Sequence, residues 1–160
     1  MTDFHELYSR YAGDIYRFAL FLCGNAAEAE DIAAETFARA IAGRAPVAGA
    51  TAKGYLLAIA RNIHLEWARR RPKIGELPPE LRDSGSDPEK RFSEGAELDA
   101  VRVFLQRIPE PDRAALLLQV NGVAYEEIAR LLEISVVSAR VKVHRLRLKL
   151  AEWRVKREAN

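Results

Sequence analysis

Cysteine is almost absent from this chain of 160 residues, with Cys23 alone, one methionine and two tryptophans. A lone thiol cannot close an internal disulfide, which excludes a stapled secreted scaffold. With no charged-then-apolar leader at its start, the chain is expected in a reducing, cytoplasmic location. Its apolar runs fall far short of the roughly 20 residues that span a bilayer, so membrane insertion is not expected. The three histidines, His5, His64 and His144, lie in separate segments. Cys23 has no partner at metal-ligand spacing, and neither a glycine-rich phosphate loop nor a nucleophile elbow occurs. The expectation is therefore no metal, no cofactor and no enzymatic activity. The paired carboxylates Glu126 and Glu127 open a helix, where the macrodipole favours them. The length itself excludes a large barrel, or a dinucleotide fold with a separate substrate domain.

What is present suits an ordinary globular protein: 49% apolar and 30% charged residues, enough to bury a core. Phe4, Leu7, Tyr8, Tyr11, Ile15, Phe18, Ala19 and Leu22 recur at three and four, a spacing that only a helix places on one face. Gly24 ends this helix. Asn25 can cap a second, with Glu28 in the capping-box position, and Ala29, Ile32, Ala33, Phe37, Ala40 and Ile41 form its stripe. Gly43 and Pro46 close it. After a small-residue loop through Gly49, a third helix starts near Thr51 and buries Leu56, Ile59, Ala60, Ile63 and Trp67, until Arg71 meets Pro72.

Periodicity then vanishes. Between residues 72 and 90 lie Pro72, Pro78, Pro79 and Pro88 with Gly75, Gly85, Ser84 and Ser86, the composition of a flexible linker. Such a stretch has a relaxed span of roughly 24 Å and a taut limit of roughly 65 Å. Beyond it, Leu98, Val101, Leu105 and Ile108 mark a fourth helix. A fifth starts near Pro111 and runs through Leu117 and Val120 to a stop at Asn121 and Gly122. A short helix Tyr125–Leu132, the turn Glu133, Ile134 and Ser135, and a longer helix from Val136 to about Trp153 make a helix-turn-helix, with Val136, Ala139, Val143, Leu146 and Leu150 inside. The sequence thus predicts an all-α protein of two small helical domains, residues 1–71 and 92–160, joined by a flexible linker at 72–91.

A net charge of +2 hides an uneven distribution. Residues 1–71 hold nine basic and eight acidic groups, 72–97 four and seven, and 98–160 twelve and eight. Residues 139–157 alone carry eight Lys or Arg against Glu152. That is the footprint of a polyanion, although a solvated basic helix without a partner would give the same count. In a major groove, Arg140 and Arg145 can each hydrogen-bond a guanine edge twice and Val141 can meet a thymine methyl, while Ser138 and His144 share that outer face. Lys142, Arg147 and Lys149 suit backbone phosphate. On the third helix, Arg61, Asn62, Arg69, Arg70 and Arg71 accompany Tyr55 and Trp67, a mixture suited to single-stranded DNA, with Trp67 favoured as core. Glu28, Asp31 and Glu35 fall within about 60° of one another on the second helix. Arg39 follows Glu35 by four, so this acidic strip is either a local feature or a docking face for a basic protein surface.

Taken together, these residues resemble the bacterial extracytoplasmic-function (ECF) sigma factors of the sigma-70 family. Residues 28–32 with Glu35, Thr36 and Phe37, then Tyr55, Leu56 and Ile59, Ala60, Arg61, Asn62, look like region two. Residues 125–129 with Val136, Arg140, Val143, His144 and Arg145 are similar to the helix-turn-helix of region four. The resemblance implies a dissociable subunit of RNA polymerase that selects promoters of a stress or signal regulon and has no chemistry of its own. Its partners would be core RNA polymerase, promoter DNA and an anti-sigma factor. It implies that Glu28, Asp31 and Glu35 dock on the polymerase clamp helices. Asn62, with Tyr55, Arg61, Arg69, Arg70 and Arg71, would capture the melted minus-ten strand, and the region-four helix would read the minus-thirty-five duplex. The chain departs from the family at Ala33, Ala34, Tyr55, Ala124, Glu133, Ser135, Val137 and Val141. The last of these changes the base-reading surface, so the promoter sequence does not carry over from relatives. Two further readings remain: a sigma mimic that sequesters a regulator, and a dimeric helix-turn-helix regulator that binds duplex without polymerase.

Overall fold

The computed structural model describes residues 4–43, 51–71 and 95–159. The expected loop through Gly49 and the linker at 72–91 lie outside them. Seven helices occupy the described residues, with no strand among them, in the all-α class that the sequence predicts. By their contacts they form two units, Met1–Arg107 and Ile108–Asn160.

In the first unit, α1 (Phe4–Cys23), α2 (Ala26–Ala42) and α3 (Ala52–Arg70) pack their apolar stripes together. Ile15, Phe18, Ala19 and Leu22 meet Ala29, Ile32 and Phe37, and Leu56, Leu57, Ala60 and Ile63 complete the core. The expected stripes are corrected at their outer ends. Phe4 and Tyr8 are 41% and 48% exposed, Ile41 is 60% exposed, and Ile59 and Trp67 are only half-buried. Around Phe4, Tyr8 and Ile41 the cause is side-chain size: Ala33, Ala34 and Ala38 are too small to cover them, so an open groove of about 470 Å³ remains. Phe37 meets the rings of Phe4 and Tyr8 there, edge to face, at 6.3 and 5.0 Å.

Asn25 caps α2 as the sequence predicts, its side-chain oxygen accepting from the Glu28 N–H at 2.8 Å. Thr51 caps α3 in the same way, accepting from the Gly54 N–H at 2.9 Å. Gly24 has φ +80°, and a Cβ there would lie 2.6 Å from the Gln106 side chain. That close approach reflects how α1 ends. From α4 (Gly95–Leu105) Arg102 donates to the Gly24 carbonyl at 2.6 Å, and Gln106, just past it, donates to the Phe21 and Leu22 carbonyls at 3.1 and 3.4 Å. These bonds satisfy the carbonyls that a helix C-terminus leaves without partners. The sequence reading groups α4 with the rear segment, whereas its contacts group it with α1. Within α4, Leu105 is buried but Leu98 is 59% exposed.

The second unit holds α5 (Glu110–Val120), α6 (Tyr125–Leu132) and α7 (Val136–Ala159). Pro111 sits in the first turn of α5, where its missing N–H costs nothing. The stop after α5 rests on Gly122 alone, at φ +87°, because Asn121 has φ −85° and uses its side chain to donate to the Leu117 carbonyl. Leu118, Ile128, Ala139, Val143 and Leu146 make the core. Val120 is 64% exposed, and Val136 and Leu150 are half-buried rather than core. α7 continues to Ala159, past the expected end near Trp153.

Candidate nucleic-acid interface

The turn between α6 and α7 fixes where the longer helix points. Glu133 adopts the left-handed conformation, φ 58° and ψ 44°, although it carries a Cβ. The Ile134 N–H reaches back to the Ala129 carbonyl at 3.0 Å, which closes α6. Ser135 then caps α7, its hydroxyl oxygen accepting from the Ser138 N–H at 3.0 Å. Ala124, by contrast, offers α6 no side-chain cap.

With Ala139, Val143 and Leu146 facing inward, helical geometry puts Val137, Ser138, Val141, His144 and Arg145 on an outward arc of about 120°. All five are exposed. Ser138 is held locally by a 3.0 Å hydrogen bond from the Ser135 hydroxyl. Arg140 is also exposed, and its guanidinium lies 4.9 Å from the centre of the Tyr125 ring. This contact orients the side chain without neutralising it. Among the described residues, His144, Arg145 and Lys149 form no ion pair or side-chain hydrogen bond. Two flanking cations differ. Lys142 pairs with Asp112 at 2.8 Å, and Arg147 hydrogen-bonds Gln119, so both are tethered to α5. Nothing in α7 signals those tethers, since their partners lie 30 and 28 residues away.

The first unit carries two further surfaces. On α3, Tyr55, Asn62 and Arg69 recur every seven residues and share the side away from the core. Asn62, Arg69 and Arg70 are exposed, while Tyr55 and Arg61 are half-buried. A Cβ on Gly43 would come within 2.8 Å of the Tyr55 hydroxyl, so this ring also closes the space beside the end of α2. Arg71 differs from the neighbouring Arg69 and Arg70, because it forms an ion pair with Glu28.

The acidic strip on α2 is split by the same pair. Glu28 is only 8% exposed, so it faces inward instead of joining Asp31 at the surface. Glu35 accepts from Arg39 at 3.0 Å, and Arg39 also reaches Glu66 on α3 with two bonds of 3.2 and 2.9 Å. Hydrogen bonding to Arg39 holds the Glu66 carboxyl below its ordinary range. The i,i+4 partner Glu35 is legible in the sequence, but the partner on α3 is not. Asp31 remains the exposed acid of the strip without such a partner among the described residues.

Burial pushes the Cys23 thiol up to about 11, which keeps it protonated. Among the described residues, no group of three or more His, Cys, Asp or Glu could hold a metal ion, and no helix is long and apolar enough to cross a membrane.

Residues 7–73 match sigma-70 region 2, and residues 98–150 match sigma-70 region 4. The chain is 33% identical, over 98% of its length, to the ECF RNA polymerase sigma factor SigE of Mycolicibacterium smegmatis, of which it spans 63%. It is 26% identical to the RNA polymerase sigma factor YlaC of Bacillus subtilis, spanning 88% of that protein. To the ECF RNA polymerase sigma factor BldN of Streptomyces coelicolor it is 32% identical, spanning about half of that relative, 52%. The region 2 match falls within the first unit, the region 4 match runs from α4 into α7, and the chain belongs to the ECF group of the sigma-70 family.

Proposed function

We propose that this chain binds core RNA polymerase in the cytoplasm, carries it to promoters and starts transcription there, contributing no catalytic group itself. In this reading residues 1–71 form the polymerase and minus-ten domain, 72–91 the tether, and 92–160 the minus-thirty-five domain. The observation that carries it is the outward arc of α7. A capped helix that leaves Arg145 and His144 unpaired around Val141 has donors and an apolar contact ready for a major groove. Arg140, oriented on Tyr125, adds a second bidentate donor, and Lys149 suits a phosphate.

The proposed minus-ten surface is the α3 stripe. Asn62 has a donor and an acceptor for an unstacked base, and Arg69 and Arg70 follow the strand, with the half-buried Tyr55 beside them. Asp31, with the half-neutralised Glu35, would meet the polymerase clamp helices. Glu28 leaves that surface, and Arg71 the minus-ten stripe, because each occupies the other. An anti-sigma factor would hold the chain until its signal arrives. Transcription with purified core polymerase on a genomic promoter pool tests the proposal. Start sites above those of core alone are expected, and their complete absence would overturn it.

A further inference from the structure

Two apolar side chains stand bare at the start of the outward arc of α7. Val137 is 70% exposed, more than any other large apolar side chain among the described residues, and Val141, one turn on, is 37% exposed. Neither belongs to the inner face of the helix, which Ala139, Val143 and Leu146 form. Helical geometry sets the two valines about 40° apart around the axis, with Cβ atoms about 5–6 Å from each other. The backbone beneath them is fixed. Val137 lies between Ser135 and Ser138, and the Ser138 N–H donates to the Ser135 hydroxyl while the Ser138 hydroxyl accepts from it, each at 3.0 Å. A valine in a helix keeps one rotamer about 90% of the time, so ordering it against a ligand costs little.

The surroundings define what fits. Arg140, His144 and Arg145 are exposed beside the pair. An apolar step inside a basic surround complements a surface that offers methyl groups inside an anionic frame. In the major groove thymine presents such a group, its C5-methyl, between two phosphate backbones. Successive base pairs rise by about 3.4 Å, so a spacing of about 5–6 Å falls between one step and two. A contact at Val141 alone would leave the more exposed Val137 against polar base edges, whereas a second methyl covers both. A second copy of α7 would instead set these arginines against their own kind.

We propose that Val137 and Val141 together read two thymine methyl groups within three successive base pairs, with Val137 as a specificity-determining residue of the duplex-binding face. The inference deepens the role proposed for α7 above and rests on it.

The test lets the full chain, with and without core polymerase, select duplexes from a random-sequence pool. The selected sequence is then titrated by gel shift with each thymine replaced in turn by uracil, which removes only the methyl. Uracil at either of two thymines should weaken binding about fourfold, and uracil at both by more than about tenfold. Val137→Ala should lower affinity for the thymine duplex and abolish the uracil effect at one position, and Val141→Ala should do so at the other. Both side chains are exposed, so the melting temperature should hold. Three results would each overturn the proposal. They are a selected sequence with fewer than two thymines in a window of three pairs, no selection in either arm, and valine variants that weaken thymine and uracil duplexes alike. Equal selection with and without polymerase, followed by the expected uracil effects, would support methyl reading while breaking the promoter assignment.

Discussion

The two units differ in how much of their charge is spent within the fold. In the front unit Arg39 ties Glu35 to Glu66, Arg71 occupies Glu28, and Asp14 holds Arg17 and Lys53, so charge is spent on joining helices. In the rear unit Lys142 and Arg147 also tie α7 to α5, but Arg145, His144 and Lys149 stay unpaired among the described residues, and Arg140 rests on a neutral ring. A satisfied ion pair adds little affinity for an outside partner, because breaking it costs what the new contact would return. An unpaired cation on a capped helix has no such debt. On the proposed reading, the rear unit would recognise its ligand through unpaired cations, and the front unit through Asn62, Arg69, Arg70 and Asp31.

The largest effect should come from the rear unit. Arg145→Ala removes an unpaired bidentate donor and should weaken recognition of the upstream duplex by about 1–3 kcal/mol, with the melting temperature unchanged. A gel-shift titration on a recovered promoter measures it. Equal loss of duplex affinity and of thermal stability would show that Arg145 supports the fold, which would break the comparison.

The front unit should answer the other way. Arg71→Ala leaves the Glu28 carboxylate buried without its cation, at a cost of about 1–2 kcal/mol once the half-exposed position of Arg71 is discounted. Thermal melting should register that loss, and Glu28→Gln in the same chain should recover part of it. If Arg71→Ala instead weakens strand capture at full stability, Arg71 returns to the minus-ten surface. Asp31→Lys, at an exposed acid, should weaken binding to core polymerase about tenfold, near 1.4 kcal/mol, without lowering stability. Glu35→Lys should lower both, since it also breaks the contact with Arg39. Unchanged core affinity in both variants would remove the acidic strip from the interface.

Most of the fold is legible because period and punctuation agree. Asn25, Gly24, Gly43, Thr51 and Gly122 bound helices whose apolar stripes recur at three and four, and the structure places those helices within a few residues of the expected limits. The ends of the stripes are less legible, because period gives a face but not whether a neighbour is large enough to cover it. Phe4, Tyr8 and Ile41 remain exposed over alanines for that reason. In the site, the outward arc of α7 follows from helical spacing alone. Glu28 does not follow, because its charge argues for the surface while its row with Ile32 and Thr36 turns inward. Its partner lies on another helix, as do Glu66 for Arg39, Asp112 for Lys142 and Gln119 for Arg147. Contacts of that kind depend on tertiary packing, which no local window contains. The family resemblance supplies the roles; the pairings come only from three dimensions.

The smallest effect concerns the turn between α6 and α7. A left-handed residue with a Cβ costs about 1–2 kcal/mol, and glycine's larger unfolded entropy returns part of that, so Glu133→Gly should stabilise the chain by about 0.5–1 kcal/mol. It also removes an acid beside the start of α7, which alone favours an anion there. Glu133→Gln keeps the Cβ and drops the charge, so it separates the two effects. Only the glycine variant should raise the melting temperature, whereas both should raise duplex affinity slightly and by the same factor. A glycine variant that melts lower than the original would show that Glu133 holds the turn through its side chain. The rear unit would then spend still more of its charge on its own fold, beyond Lys142 and Arg147, and the contrast between the units would narrow to Arg140, His144 and Arg145.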